Sequence, residues 1–169
     1  MAAIDEEAAI HLAQALVRIP SESDNPTRSR ADAPEAGVAA CLETFFAERG
    51  IAAERQAVSP QRDNVVVRLP RAGRPRILIA GHMDTVTAVR MDHPFEGAIA
   101  DDRLYGRGAC DDKGPLAAAA ATLATCAEDD AANTPFDITF LATVGEETTM
   151  AGAAQFAKEH ATERFDLVL

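Results

Sequence analysis

Apolar positions recur at helical spacing from Asp5 to Ile19, where Ile10, Ala13, Leu16 and Val17 form one stripe and Asp5 can cap the first turn. Pro20 stops that helix, and the polar, Pro-containing stretch from Ser21 to Ala33 reads as a loop. A second helix follows over Pro34 to Arg49, with Pro at its first turn, Val38, Leu42, Phe45 and Phe46 facing inward, and Gly50 just past its end. Strand patterns come next. Ile51 to Val58 is a weak one, while Asn64 to Leu69 and Arg76 to Ala80 are rich in β-branched residues and flank a turn containing Pro and Gly. Ile77-Leu78-Ile79-Ala80 is apolar without a break, as expected of a strand buried on both faces.

Ala98 to Ala100 and Arg103 to Tyr105, divided by Asp101-Asp102, read as a small hairpin. An Ala-rich helix over Leu116 to Cys126 starts behind Pro115. Phe136 to Thr143 is a further buried strand, Met150 to His160 a helix, and Phe165 to Leu169 the start of another apolar strand. Helices alternating with apolar strands predict an α/β protein, a three-layer α/β/α sandwich on a mostly parallel mixed sheet. The sequence stops inside a strand, at Asp166-Leu167-Val168-Leu169, so the sandwich is expected to be incomplete at its C-terminal end and the chain to be a fragment.

Composition narrows the function classes. The 169 residues are 47% hydrophobic and 25% charged, within the range of one ordinary globular domain. With no Trp, one Tyr and seven Phe, the core has to rest on aliphatic packing. A net charge of −11 repels phosphate backbones and argues against a nucleic-acid partner. Cys41, Cys110 and Cys126 form no Cys-x-x-Cys pair and are odd in number, which excludes a disulfide scaffold or zinc knuckle. No run reaches the roughly 18 apolar residues of a membrane span, and the acidic start is unlike a signal peptide, so a cytoplasmic protein is expected.

Candidate chemistry lies in three polar clusters, each after an apolar strand or ahead of a helix. Ligand crevices of open α/β sheets lie outside the carboxyl ends of the strands. In Gly81-His82-Met83-Asp84-Thr85-Val86, strand spacing turns His82 and Asp84 to the same side, where an imidazole can bind a metal while a carboxylate steadies it. A satisfied strand-end histidine is the bland alternative. In Leu104-Tyr105-Gly106-Arg107-Gly108-Ala109-Cys110-Asp111-Asp112-Lys113-Gly114-Pro115, adjacent carboxylates beside glycines suit a divalent cation, against the alternative of a solvated helix-capping turn. A phosphate cradle would need Gly-Lys-Ser/Thr, and here Lys113 precedes Gly114. Cys110 is a poor nucleophile beside Asp111 and Asp112, which raise a thiol's pKa. In Ala142-Thr143-Val144-Gly145-Glu146-Glu147-Thr148-Thr149, one glutamate can bind a cation while the other takes a proton from water, although surface Glu pairs are common.

Together, His-x-Asp, Gly-Arg-Gly-x-x-Asp-x-Lys-Gly and Glu-Glu, in that order, resemble the metallopeptidase family of acetylornithine deacetylase, succinyl-diaminopimelate desuccinylase, aminoacylase and glutamate carboxypeptidase. The resemblance runs from about Asp5 to Leu169. It implies a pair of divalent metal ions, zinc first and cobalt or manganese as alternatives, sharing a carboxylate and a water. It assigns His82 to the first metal, Asp111 to both, Glu147 to the second, Glu146 as general base and Asp84 as the residue that orients His82. It also implies a cis peptide after the shared aspartate, at Asp111-Asp112, with Asp112 itself not a ligand. The implied reaction is hydrolysis of an amide bond in an N-acyl amino acid or small peptide.

The same resemblance places the remaining ligands, and a smaller lid domain through which the parent protein would dimerise, beyond Leu169. Residues 1–169 are then the N-terminal part of a catalytic domain. His93, in a Pro-containing loop, and His160, near a helix end, are poor substitutes for the missing ligands. The chain alone is therefore expected to bind zinc weakly and to hydrolyse little. One rival is a non-catalytic remnant or interaction module that keeps the fold; another is a nucleotide-binding domain using Gly106 and Gly108, disfavoured by motif order and charge.

Overall fold

The computed structural model describes residues 4–23, 33–128 and 134–169. Helices α1 (Glu6–Val17) and α2 (Ala36–Ala47) precede strands β1 (Ala53–Ser59), β2 (Arg62–Leu69) and β3 (Arg76–His82). The hairpin β4 (Ala98–Ala100) and β5 (Arg103–Tyr105), helix α3 (Lys113–Glu128), strand β6 (Asp137–Thr143), helix α4 (Ala151–Glu159) and strand β7 (Leu167–Val168) complete the order. Each element lies where the hydrophobic pattern puts it; the part of the expected loop at 24–32 lies outside the described residues.

The five-stranded sheet has the order β1-β2-β6-β3-β7. It is mixed: β6, β3 and β7 run parallel, whereas β1 and β2 are joined to it by antiparallel pairings. Helices α1, α2 and α3 cover one face, where Leu16, Val38, Leu42, Phe46, Val65, Val67, Leu116, Leu123 and Phe140 form the main core. On the opposite face α4 presses Phe156 onto Val66, Leu78 and Leu141. That makes three layers.

Local chemistry explains the elements. Asp5 caps α1 by accepting from the Ala8 amide at 2.9 Å. Ala117, Ala120, Ala121 and Ala124 are the buried face of α3, and side chains that small let the helix sit close to its neighbours. Phe46 meets Phe140 edge-on at 5.5 Å, tying α2 to β6.

Three details depart from the hydrophobic pattern. Ile10 is 51% exposed, because the buried stripe of α1 runs through Leu12 and Leu16, and Ile10 sits roughly 200° round the helix from Leu12. In β3 only part of the apolar run is enclosed: Ile77 and Leu78 are buried, Ile79 is half-buried and Ala80 is exposed. Phe156 of α4 reaches Leu78, but Ala80, further along the same face, lies beyond it. Strand β7 is an exposed edge, in register with β3 at Leu167 and Val168 and bonded to it through the flanking backbone of Asp166 and Leu169.

For function, the register of β3 on β6 matters most. The two strands are parallel, with Gly81 beside Ala142 and His82 beside Thr143, so they finish together. The loops that follow them leave from one edge of the sheet.

Candidate metal centre

His82 is the last residue of β3 and is buried. Its Nδ1 lies 3.0 Å from the Asp84 carbonyl oxygen, and a carbonyl only accepts, so Nδ1 carries the hydrogen. The other nitrogen, Nε2, therefore faces the cleft. It lies 2.9 Å from Asp111 Oδ1 and 3.8 Å from Glu146 Oε2. Burial disfavours the imidazolium, yet the Asp84 and Asp111 carboxylates more than offset this and hold His82 at a pKa of about 9.

His82, Glu146 and Glu147 each present a ligand atom within 4.8 Å of the others, the spacing of groups able to hold one ion. Asp111 joins that group through His82. A mixed imidazole and carboxylate set is the donor chemistry of zinc, cobalt and manganese, so the residues present fit a divalent cation. Burial and the nearby Asp111 and Glu146 raise the pKa of Glu147 despite the opposing effect of His82. Crowded carboxylates at one edge favour a cation between them.

Asp111 and Asp112 turn different ways. Their peptide bond is cis, at the position the resemblance implies. Asp111 stays exposed and reaches His82. Asp112 instead accepts from the backbone amide of His82 at 3.0 Å, beneath Gly81. A methyl group on Gly81 would strike the Asp112 carboxylate and come to 3.0 Å from Leu116 Cδ1, so only glycine leaves room there. Burial, with Asp111 and Glu146 adding to it, raises the pKa of Asp112. Lys113 is fully buried and donates from Nζ to the Ile19 carbonyl at 2.6 Å, fastening this loop to the end of α1. Burial lowers its pKa to about 8, with Glu22 opposing the shift.

Asp84 is wholly buried and works on both sides of the cleft. Its carboxylate lies 3.5 Å from His82 Nδ1, while the closer contact to that nitrogen is its own backbone oxygen. Its Oδ1 accepts from the Glu146 amide at 3.1 Å, and its Oδ2 from the Glu147 amide at 3.2 Å and the Ser23 hydroxyl at 2.6 Å. Burial alone would raise the pKa of Asp84; His82, Ser23 and the two amides overcome it and lower the pKa. Asp84 thus sets the turn that carries both glutamates.

Several supporting residues escape a motif search. Ser23 lies in a polar stretch, yet its amide donates to the Thr85 carbonyl and its hydroxyl reaches Asp84. Asn64 heads an apolar strand, and its buried amide side chain accepts from Val144 N at 3.1 Å and donates to the Gly152 carbonyl at 2.9 Å. A buried Asn before Val-Val-Val is the one signal that could have marked it. The two histidines weighed as substitute ligands pair elsewhere: His93 with Glu96 at 2.8 Å, and His160 with Glu163 at 2.6 Å.

Comparison with known proteins gives the chain a family and a fold. Residues 78–169, more than half the chain, match the model of peptidase family M20/M25/M40. A probable succinyl-diaminopimelate desuccinylase of Staphylococcus epidermidis is 32% identical over 163 residues, covering 94% of this chain and 38% of that protein. The corresponding enzyme of Methylorubrum populi is 33% identical over 152 residues, 85% of this chain and 37% of that one. Among solved structures, aminopeptidase PepT of Bacillus cereus superposes with a TM-score of 0.71 at 26% identity, over 98% of this chain and 43% of that one. Human carnosine dipeptidase 1 shares the fold at a TM-score of 0.72 and 20% identity, over 92% and 35%. The chain spans well under half the length of these relatives.

Proposed function

The chain belongs to peptidase family M20/M25/M40, and from that premise we propose that it is the N-terminal part of the catalytic domain of a metal-dependent hydrolase. The bond cleaved is the amide of an N-acyl amino acid or small peptide, of the desuccinylase, deacetylase or carboxypeptidase type. One observation carries the reading: His82 Nε2, Asp111 and the two glutamates meet at the edge where β3 and β6 end.

His82, Asp111 and Glu147 would hold two divalent cations, zinc first with cobalt or manganese as alternatives, with Asp111 shared between them. Such ions supply Lewis acidity, acidifying a water and polarising the scissile carbonyl. Glu146 sits 3.8 Å from His82 Nε2, and among the described residues its carboxylate accepts no backbone hydrogen bond, which leaves it free to act as general base. It receives the proton of the attacking water and returns it to the departing nitrogen. Asp84 keeps the Nδ1 hydrogen of His82 turned inward and the Glu146-Glu147 turn in register with it. A parent homodimer formed through a lid domain belongs to the same proposal.

The test is a panel of N-acetyl and N-succinyl amino acids and dipeptides, offered with zinc to this chain and to a longer protein that contains it. Release of free amine by the longer protein, abolished by chelator, supports the reading; the chain alone should show little turnover. A longer protein that binds the cation and cleaves none of these amides would favour the non-catalytic module instead.

A further inference from the structure

The turn that carries Glu146 and Glu147 is held through four consecutive backbone amides, each donating to a side-chain oxygen. Val144 N donates to Asn64 Oδ1 at 3.1 Å, Gly145 N to Glu35 Oε1 at 3.1 Å, Glu146 N to Asp84 Oδ1 at 3.1 Å and Glu147 N to Asp84 Oδ2 at 3.2 Å. The three accepting residues come from separate stretches of chain, and each is buried to within 1% of its surface. Asp84 belongs to a motif and Asn64 to β2. Glu35 belongs to neither; it precedes α2, far from any of the three polar clusters.

A buried carboxylate needs partners. Glu35 has them in Arg62, at the start of β2, which donates from Nε to Oε2 at 3.1 Å and from Nη2 to Oε1. The Ser23 hydroxyl lies 3.4 Å from the same Oε1 and gives its shorter bond to Asp84. Arg62 also lies directly beneath the turn: a Cβ on Gly145 would be 3.1 Å from Nη2, and Gly145 holds a φ of 69°. A side chain there would be both strained and obstructed. The guanidinium and the amide of Gly145 thus converge on one oxygen of Glu35.

We infer that Glu35, locked by Arg62, is a positioning residue for the catalytic turn: it fixes Gly145, and through Gly145 the placement of Glu146 and Glu147 against His82. This deepens the metallohydrolase reading and rests on it for its functional consequence. A carboxylate used only to tie α2 to β2 would need Arg62 alone. The bond to Gly145 N is what reaches into the cleft.

The experiment compares the 169-residue chain with its Glu35→Ala, Glu35→Gln and Arg62→Met variants by residue-resolved amide hydrogen exchange, then by titration with cobalt(II) followed in the visible spectrum. Glu35→Ala should speed exchange at Gly145, Glu146 and Glu147 by about tenfold or more, leaving the β6 amides from Ile138 to Ala142 near their original rates. Glu35→Gln keeps an acceptor at the same place and should restore most of the protection. Arg62→Met removes the lock but leaves the buried Glu35 carboxylate without its cation, so it is paired with the double variant Glu35→Gln/Arg62→Met. The double variant carries neither charge of the pair, remains informative if Glu35→Ala fails to fold, and should loosen the same amides. Cobalt affinity should fall in parallel, by about tenfold, with a changed absorption envelope and an unchanged far-ultraviolet dichroism spectrum. Unchanged exchange at Gly145, or a rise spread evenly over the whole core, would overturn the positioning role. If a longer protein that supplies the remaining ligands gives no cobalt spectrum while exchange responds as described, the metal reading fails and the positioning of the turn stands.

Discussion

At the scale of single residues, the proposed roles divide between holding a cation and moving a proton. Glu146 hangs from an amide anchored on Asp84, with its carboxylate at the cleft. Replacing it with glutamine keeps shape and removes basicity. In a hydrolytically active form of the protein, Glu146→Gln should retain metal and lose kcat by about 10²- to 10⁴-fold, measured by paired metal analysis and turnover. Near-normal turnover would remove it from that role. His82→Ala or Asp111→Ala should act the other way, cutting metal occupancy first; mass spectrometry of metal after dialysis at limiting zinc separates the cases. A variant of either residue that keeps full occupancy would show that it is no ligand. The motif residues were legible because their chemistry is written in residue type and order. The resemblance alone sets Asp112 aside as a ligand, and its bond to the His82 amide depends on Gly81 leaving space.

At the scale of elements, the site exists because two parallel strands end side by side. Hydrophobic patterning placed β3 and β6 well, since an uninterrupted apolar run is a strong local signal. It overstated the burial of β3 at Ala80, because covering a face depends on how far α4 reaches, which no local pattern encodes. Likewise Ile10 fits a helical stripe in sequence, and only the docking of α1 shows which side is inward. The junction of β6 with α4 is crowded: a Cβ on Gly152 would meet Asn64 Oδ1 and lie 2.6 Å and 2.7 Å from the backbone nitrogen and oxygen of Val144. Gly152→Ala should therefore destabilise the fold by about 1–3 kcal/mol, read from urea unfolding, although alanine is the better helix former. A neutral or stabilising result would mean that α4 can slide away without cost to the turn.

At the scale of the whole molecule, a three-layer sandwich gathers one cleft at one edge and leaves charge networks at its periphery. Glu163 joins Arg76 at 2.6 Å, His160 at 2.6 Å and Arg68 at 3.7 Å, linking the start of β3 to the end of α4. Burial alone would raise its pKa, but Arg76, His160 and Arg68 lower it. A carboxylate depressed on folding stabilises the native state above its unfolded pKa of about 4.3, and that contribution is lost as pH falls through the depressed value. Glu163→Gln should thus lower Tm by about 2–4 °C at most at pH 7, with the gap closing below roughly pH 4. A gap that persists in acid would place the effect in packing instead. Ion pairs of this kind link residues far apart in the chain, which is why the sequence alone did not reveal them. Among the described residues no helix is long and apolar enough to cross a membrane.

Crystals of the chain soaked in zinc, with anomalous diffraction recorded on both sides of the zinc absorption edge, bear most directly on whether these side chains form one cation site. The expected map has its strongest peak at the edge shared by β3 and β6, about 2.0–2.1 Å from His82 Nε2 and bonded to Asp111 or Glu147. A map empty there at saturating zinc, or with its ions on His93 or His160 instead, would contradict the assignment of the cleft as a metal centre.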